Sequence, residues 1–99
     1  MRLKPGTKLK GLQPQILFAA FVAEEVYAAR GRDLWITSGN DGKHLPNSKH
    51  YDGQAIDIRT KNLDQHEVAG VVEAIRVRLN DEYDIVLETD HLHIEYDPK

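Results

Sequence analysis

Apolar residues recur at helical spacing along two segments of the chain. In residues 13–30, Pro14 stands near the beginning of an apolar run and Gly31 follows its end. Proline suits the first turn of a helix and glycine commonly follows the last, so this segment predicts a helix. A second helix is predicted by apolar residues spaced three and four apart: Val68, Val71, Val72, Ile75 and Leu79. Asn62 and Gln65 are its expected cap pair.

Four shorter segments are rich in strand-forming residues. They span residues 34–38, 55–60, 83–88 and 91–96. A Thr-Asp turn between the last two predicts a hairpin, and a long run of turn residues separates the first two. The order of elements predicts an α+β domain, in which two helices pack on one face of a small, mainly antiparallel four-stranded sheet.

Alternation along the strands predicts which side chains share a face of this sheet. The apolar positions of the second and last strands are Ile56, Ile58, Leu92, Ile94 and Tyr96. If these positions face the helices, then Asp57, His91 and His93 share the opposite face. His50, in the loop that enters the second strand, is expected to fold over that face.

The composition limits the domain count and the available chemistry. The chain has 99 residues, enough for a single domain over residues 1–99 that buries roughly 60–70% of its unfolded surface. Cysteine is absent, which excludes disulfides, thiolate metal sites and a catalytic thiol. The net charge of −3 is spread along the chain without a basic stripe, so nucleic acid is not an expected partner.

The beginning of the chain imitates a secretory signal, because M-R-L-K-P-G-T-K-L-K precedes the apolar run I-L-F-A-A-F-V-A. The helical pattern continues through Glu24 and Glu25, however, so the run is interpreted as a buried helix. It is also shorter than the roughly 20 residues that span a bilayer. We therefore expect no export signal, no membrane anchor and synthesis in the cytoplasm.

Two imidazoles and one carboxylate on the same sheet face form a metal-site pattern. Histidine nitrogen and carboxylate oxygen suit zinc, and three protein ligands leave a fourth position for water. The competing interpretation is a set of solvated polar residues, which is the one adopted for His66, alone on a helix. A two-histidine, one-carboxylate iron(II) oxygenase is disfavoured, because such enzymes generally need a larger scaffold.

Two motifs resemble those of a known family. The first motif is S-K-H-Y-D-G-Q-A-I-D at residues 48–57, and the second is H-L-H at residues 91–93. Together they resemble the S-x-H-x-x-G-x-A-x-D and H-x-H pair of the zinc D-Ala-D-Ala peptidases and related cell-wall endopeptidases. The hedgehog signalling domain carries the same zinc site. The resemblance covers residues 34–96. It implies one zinc ion per chain on the sheet face opposite the helices, with three protein ligands: His50, Asp57 and His93.

The resemblance also implies catalytic roles. His91 would lie beside the metal, His44 matches a second active-site histidine of the hedgehog type, and Ser48 would shape the site and contact substrate. Two acids are candidates for the general base. Glu88 matches the hedgehog-like arrangement if one residue is deleted from the turn and is favoured, whereas Asp90 lies three residues before the last ligand, as in many family members. The family's cleft arginine has no clear match.

The function implied is a zinc metallopeptidase that hydrolyses peptidoglycan stem peptides, as a D,D-carboxypeptidase or an L-Ala–D-Glu-type endopeptidase of the endolysin sort. Such a protein is expected to be a monomer, to act on the cell wall without a membrane partner, and to be of phage or prophage type. The alternative is a non-catalytic, zinc-stabilised binding module of the hedgehog-like type. Hydrolysis of purified cell wall, with and without chelator, distinguishes the two.

Overall fold

The structure is a computed structural model that describes residues 1–40 and 52–98. Its elements in chain order are β1 (Arg2–Leu3), α1 (Pro14–Ala28), β2 (Trp35–Ser38), β3 (Ala55–Arg59), a 3₁₀ helix (Gln65–Glu67), α2 (Val68–Arg78), β4 (Tyr83–Leu87) and β5 (His91–Tyr96). Both helices and all four expected strands are therefore present. The ends of these strands and of helix α1 differ from the predicted ends by at most two residues. The described part of the chain is an α+β fold.

The sheet has five strands, in the order β1-β2-β3-β5-β4, and the expectation of four strands was wrong. The additional strand, β1, runs parallel to β2, while the other neighbours are antiparallel. Two backbone bonds hold it there, from the N–H of Arg2 to Leu34 at 2.8 Å and from the N–H of Lys4 to Ile36 at 3.0 Å. A strand of two residues has no periodicity of its own, so only its partner reveals it.

Both helices cover one face of the sheet. Helix α1 packs against β3, β5 and α2, and α2 also contacts β4. Ile56, Ile58, Leu92 and Ile94 are fully buried beneath them, as the alternation predicted. The Tyr27 hydroxyl of α1 donates to the Arg59 carbonyl at 2.8 Å, which ties this helix to the end of β3.

The predicted cap pair of the second helix was wrong. Asp64 caps the 3₁₀ turn and forms a capping box with Glu67, whose side chain accepts from the Asp64 N–H at 2.9 Å. The Asn62 amide instead donates to the Asp33 carbonyl at 2.7 Å. Arg32 joins the observed cap, since its guanidinium contacts both Asp64 and Glu67.

Among the described residues, no helix combines the length and the apolar character that crossing a membrane requires. Helix α1 places one face in the core, where seven of its residues are buried. Its other face exposes Leu17, Phe18 and Phe21, so the interpretation of this run as a buried helix holds for one face alone.

Candidate metal site

The pairing of β3 with β5 brings the candidate residues together. Asp57 lies directly opposite His93, and Arg59 lies opposite His91. Because successive side chains of a strand alternate between faces, all four side chains lie on the face turned away from the helices. Sequence alternation placed them on one face, and the register makes them neighbours.

His93 lies between two carboxylates. Its Nδ1 is 2.9 Å from Asp57 Oδ1, and its Nε2 is 2.9 Å from Glu95 Oε1. The side chains of Asp57, His93 and Glu95 are 13%, 19% and 23% exposed. The hydrogen bond to Asp57 raises the pKa of His93 above the ordinary histidine value; partial burial opposes this rise and Glu95 adds to it.

His91 connects this pair to Asp90. Its Nε2 lies 3.8 Å from Asp57 Oδ1, and its Nδ1 is 2.9 Å from Asp90 Oδ1. The hydrogen bond from His91 lowers the pKa of the Asp90 carboxyl below its usual value. A continuous series of polar contacts therefore runs from Asp90 through His91, Asp57 and His93 to Glu95.

Glu88 lies at the end of β4, beside the hairpin turn. Its backbone N–H donates to the His91 carbonyl at 2.9 Å. It also lines a cavity of about 530 Å³ at the end of the sheet beside α2, whose other lining residues include Thr60, Lys61 and Leu87. The strand pairing thus places Glu88 next to His91, while the cavity lies towards α2.

The chain enters β3 through a tightly packed turn at Gly53. This glycine has a φ of 70°, and a Cβ there would collide with the Gly11 carbonyl oxygen. Its own carbonyl accepts from the Gln13 N–H at 2.9 Å. Glycine is needed at this position because of its positive φ and because a Cβ would have no room. The predicted ligand His50 and the predicted site residues His44 and Ser48 lie outside the described residues.

The donor atoms of Asp57 and His93 fit a zinc ion. Ligand atoms at about 2.0–2.1 Å from a tetrahedral zinc lie about 3.3 Å from each other. The 2.9 Å separation of Oδ1 and Nδ1 needs to open by only a few tenths of an ångström. The donor types suit zinc as well, because imidazole nitrogen and carboxylate oxygen are both common zinc ligands.

A second group, which the sequence analysis did not find, consists of carboxylates alone. In the described part of the chain, Asp84, Glu95 and Asp97 place oxygen atoms within 4.8 Å of one another. Asp84 and Glu95 are register partners on β4 and β5, a pairing that no local pattern indicates. Such clusters are common on protein surfaces, and an all-oxygen set suits hard cations better than zinc.

Arg59 is a further residue of this face to which the sequence analysis gave no role. Its guanidinium carbon lies 4.8 Å from the centre of the Trp35 ring, and that of Arg2 lies 5.8 Å from the same centre. Alternation along β3 places Arg59 on the same face as Asp57. The contact with Trp35, which is 24 positions earlier in the chain, depends on the pairing of β2 with β3.

The fold and the site define an α+β domain with a half-buried imidazole and carboxylate cluster on the open face of its sheet. No protein-family model matches the chain, and no curated protein matches it. Functional interpretation therefore rests on the two sequence motifs and on the geometry of Asp57, His91 and His93.

Proposed function

We propose that this protein is a zinc metallopeptidase that hydrolyses peptide bonds of peptidoglycan stem peptides, in the manner of an endolysin. The observation that supports this most is the contact of Asp57 Oδ1 with His93 Nδ1 at 2.9 Å across β3 and β5. These are two of the three ligands that the motifs imply, and they belong to segments 36 residues apart. His50 is the proposed third ligand.

Asp57 and His93 would hold the zinc ion, and Glu95 would orient the His93 ring. A carboxylate that accepts a hydrogen bond from one ring nitrogen fixes the tautomer and leaves the other nitrogen free to bind metal. Glu95 is on Nε2, so Nδ1 is the proposed ligand atom. Held by Asp57, His93 and His50 with one position open, zinc would supply a water ligand with a pKa of about 7 and a Lewis acid for the scissile carbonyl.

The general base would take the proton of the attacking water and pass it to the leaving amine. The alignment of the turn with the hedgehog pattern supports Glu88. The contacts support Asp90, because it is bonded to His91, whose Nε2 lies 3.8 Å from Asp57. His91, with His44, is the proposed donor to the oxyanion of the tetrahedral intermediate.

Zinc content and cell-wall hydrolysis test the proposal. We expect one zinc per chain by elemental analysis, and hydrolysis of purified peptidoglycan that chelator abolishes and added zinc restores. His50→Ala, Asp57→Ala and His93→Ala should each lose most of the zinc. His66→Ala is the matched control, since His66 is an exposed residue of the 3₁₀ helix.

Two outcomes would contradict the proposal. Full zinc occupancy in all three ligand variants would refute the metal site. Zinc binding without hydrolysis of cell wall would instead support the alternative, a non-catalytic zinc-stabilised binding module.

A further inference from the structure

The cavity beside α2 lies at a part of the sheet that the helices leave uncovered. Leu87 is the register partner of Leu92, so both side chains lie on the face that packs against the helices. Leu92 is fully buried, but Leu87 is 49% exposed. The end of β4 therefore extends past the helices, and Leu87 lines the cavity of about 530 Å³ there. This volume is in the range of small-molecule binding pockets.

The cavity combines apolar walls with charged side chains. Its apolar lining residues are Leu63, Val68, Ala69 and Leu87. Its two charged lining residues are Lys61, whose Nζ lies 4.0 Å from Asp90 Oδ2, and Glu88. The carboxylate of Glu88 has no hydrogen bond or ion pair with residues 1–40 or 52–98. An apolar cavity with an unpaired carboxylate suits an aliphatic chain that ends in an ammonium group.

The cavity is close enough to the proposed metal site for one substrate to reach both. Thr60 lines the cavity and is three residues after Asp57, which is about 10 Å of extended chain. Two residues of an extended peptide span about 7 Å, and a long side chain can cover the remaining distance. A substrate side chain two residues from the zinc-bound carbonyl can therefore enter the cavity.

We propose that this cavity binds the side chain of the diamino acid in the peptidoglycan stem peptide, with its ammonium group on Glu88. The inference rests on the proposed function for the identity of this ligand. The aliphatic part of the side chain would pack against Leu63 and Leu87. In both bonds that the motifs leave open, one residue separates the scissile bond from the diamino acid. That residue is D-Glu in the L-Ala–D-Glu linkage and D-Ala in the D-Ala-D-Ala terminus.

Binding of synthetic peptides tests the proposal. The probe γ-D-Glu-L-Lys-D-Ala contains neither candidate bond, so it can be titrated into zinc-loaded protein in a calorimeter without being cleaved. The reference peptide has norleucine in place of lysine, which keeps the aliphatic chain and removes the ammonium group. We expect the lysine peptide to bind about tenfold more tightly, the effect of a charge-assisted hydrogen bond.

A third peptide, with meso-diaminopimelate in place of lysine, distinguishes the two diamino acids that carry this ammonium group. Both basic peptides should bind more tightly than the norleucine peptide. The one with the lower Kd identifies the type of cell wall that the cavity fits.

Variants of the cavity separate the charge from the apolar wall. Glu88→Gln should remove the preference for lysine and leave the affinity for the norleucine peptide unchanged. Leu87→Asn should weaken both peptides alike, and the fold should tolerate it because Leu87 is half exposed. Glu73→Gln is the matched control, since its carboxylate is 68% exposed on α2 and does not line the cavity. It should keep the full preference, and circular dichroism would verify each fold.

Hydrolysis provides a second readout. On a complete stem peptide with lysine, Glu88→Gln should raise KM about tenfold and change kcat little, because the contact is distant from the reacting atoms. A loss of kcat at unchanged KM would make Glu88 the general base and would overturn its role in the cavity.

The failure of this inference can be distinguished from the failure of the proposed function. Chelator-sensitive hydrolysis with equal affinity for the lysine and norleucine peptides would overturn the diamino acid site and leave the metallopeptidase intact. A preference for lysine that survives in Glu88→Gln would also overturn the site. If the protein bound no zinc but preferred lysine through Glu88, the cavity would stand as a binding site and the metallopeptidase alone would be overturned.

Discussion

His93 has a carboxylate at each ring nitrogen, Asp57 at Nδ1 and Glu95 at Nε2. A neutral imidazole has a single N–H and can donate to one of them, whereas the imidazolium donates to both. This is why the two acids raise the pKa of His93 in the metal-free protein. In the proposed site zinc would replace the proton at Nδ1, so metal binding would release protons and would weaken as the pH falls.

The first prediction concerns Glu95. Removing the acceptor at Nε2 frees the His93 ring, so Glu95→Ala should weaken zinc affinity by about 10–100-fold, the usual effect of losing such a partner. Glu95→Gln retains an oxygen acceptor and should recover most of the affinity. Competition with a chromophoric chelator at pH 7 measures the affinities.

Asp97→Asn is the control for Glu95, because Asp97 belongs to the all-carboxylate group but is not a proposed ligand. It should bind zinc like the unaltered protein. If Asp97→Asn lost the zinc while His93→Ala kept it, the metal would belong to the carboxylate group instead.

The second prediction separates the two candidate bases. The contacts of Asp90 with His91 lead us to expect that Asp90→Asn retains zinc and loses about 10²–10⁴-fold in turnover, the usual contribution of a positioned acid–base group. Glu88→Gln should lose much less. Turnover on peptidoglycan fragments and zinc content would be measured together. The reverse result would support Glu88 and the alignment of the turn with the hedgehog pattern.

At the scale of elements, the start of α2 depends on a charged cluster. Glu67 accepts from the Asp64 N–H at 2.9 Å and from Arg32 Nε at 3.1 Å. The hydrogen bond from Asp64 is the main cause that lowers the pKa of the Glu67 carboxyl, and Arg32 contributes to the same effect. Arg32 follows α1, so the cluster links the end of one helix to the start of the other.

The third prediction follows from this lowered pKa. A carboxylate whose pKa is lower in the folded state stabilises the fold above its unfolded value of 4.5, and this contribution is lost as the pH falls through the folded pKa. The free energy of unfolding of Glu67→Gln, measured with urea, should lie below that of the unaltered protein by a constant amount near pH 6–7. The gap should narrow below about pH 4.5.

Glu73→Gln is the control on α2. Its carboxylate is 68% exposed and lies 3.7 Å from Arg76, and exposed pairs of this kind contribute little. The free energy of unfolding of Glu73→Gln should differ little from that of the unaltered protein at all these pH values. If the difference in free energy of unfolding between Glu67→Gln and the unaltered protein did not change down to pH 3, the role given to the capping box would be contradicted.

The elements also differ in how far the sequence predicted them. Both helices follow from the local sequence pattern, and so do the four strands at residues 35–38, 55–59, 83–87 and 91–96. The cap of the 3₁₀ turn before α2 did not follow, because Asp64 and Glu67 form it together with Arg32, which lies elsewhere in the chain. Strand β1 did not follow either, since its two residues form a strand only by pairing with β2.

At the scale of the whole molecule, a zinc ion would join segments that are far apart in the sequence. Asp57 on β3 and His93 on β5 belong to neighbouring central strands. A ligand that binds the native state alone stabilises it in proportion to the logarithm of its excess over Kd. Metal binding should therefore stabilise the whole domain.

The fourth prediction quantifies this effect. Free zinc at a hundredfold excess over Kd should add about 2.7 kcal/mol to the free energy of unfolding, which raises the Tm of a domain of this size by about 10–20 °C. Thermal unfolding with zinc and with chelator measures the shift, and His93→Ala should show almost none. An unaltered Tm after chelation of the unsubstituted protein would argue against metal binding.

The sequence by itself determined the local structure of this protein. Apolar residues at periods of about 3.6 and 2 specify where helices and strands form, and alternation specifies that Asp57 and Arg59 share one face of β3, as His91, His93 and Glu95 share one face of β5. It also predicted which faces are buried, because Ile56, Ile58, Leu92 and Ile94 can be removed from water only beneath the helices.

The tertiary structure alone decided which of these residues touch. The register of β3 on β5 places Asp57 against His93, and the pairing of β2 with β3 places Trp35 beneath Arg59. The parallel strand β1 and the cap at Asp64 likewise arise from partners elsewhere in the chain. The physical reason is that register and strand order depend on contacts between distant segments, whose free energies sum over the whole core and leave no mark on the local pattern.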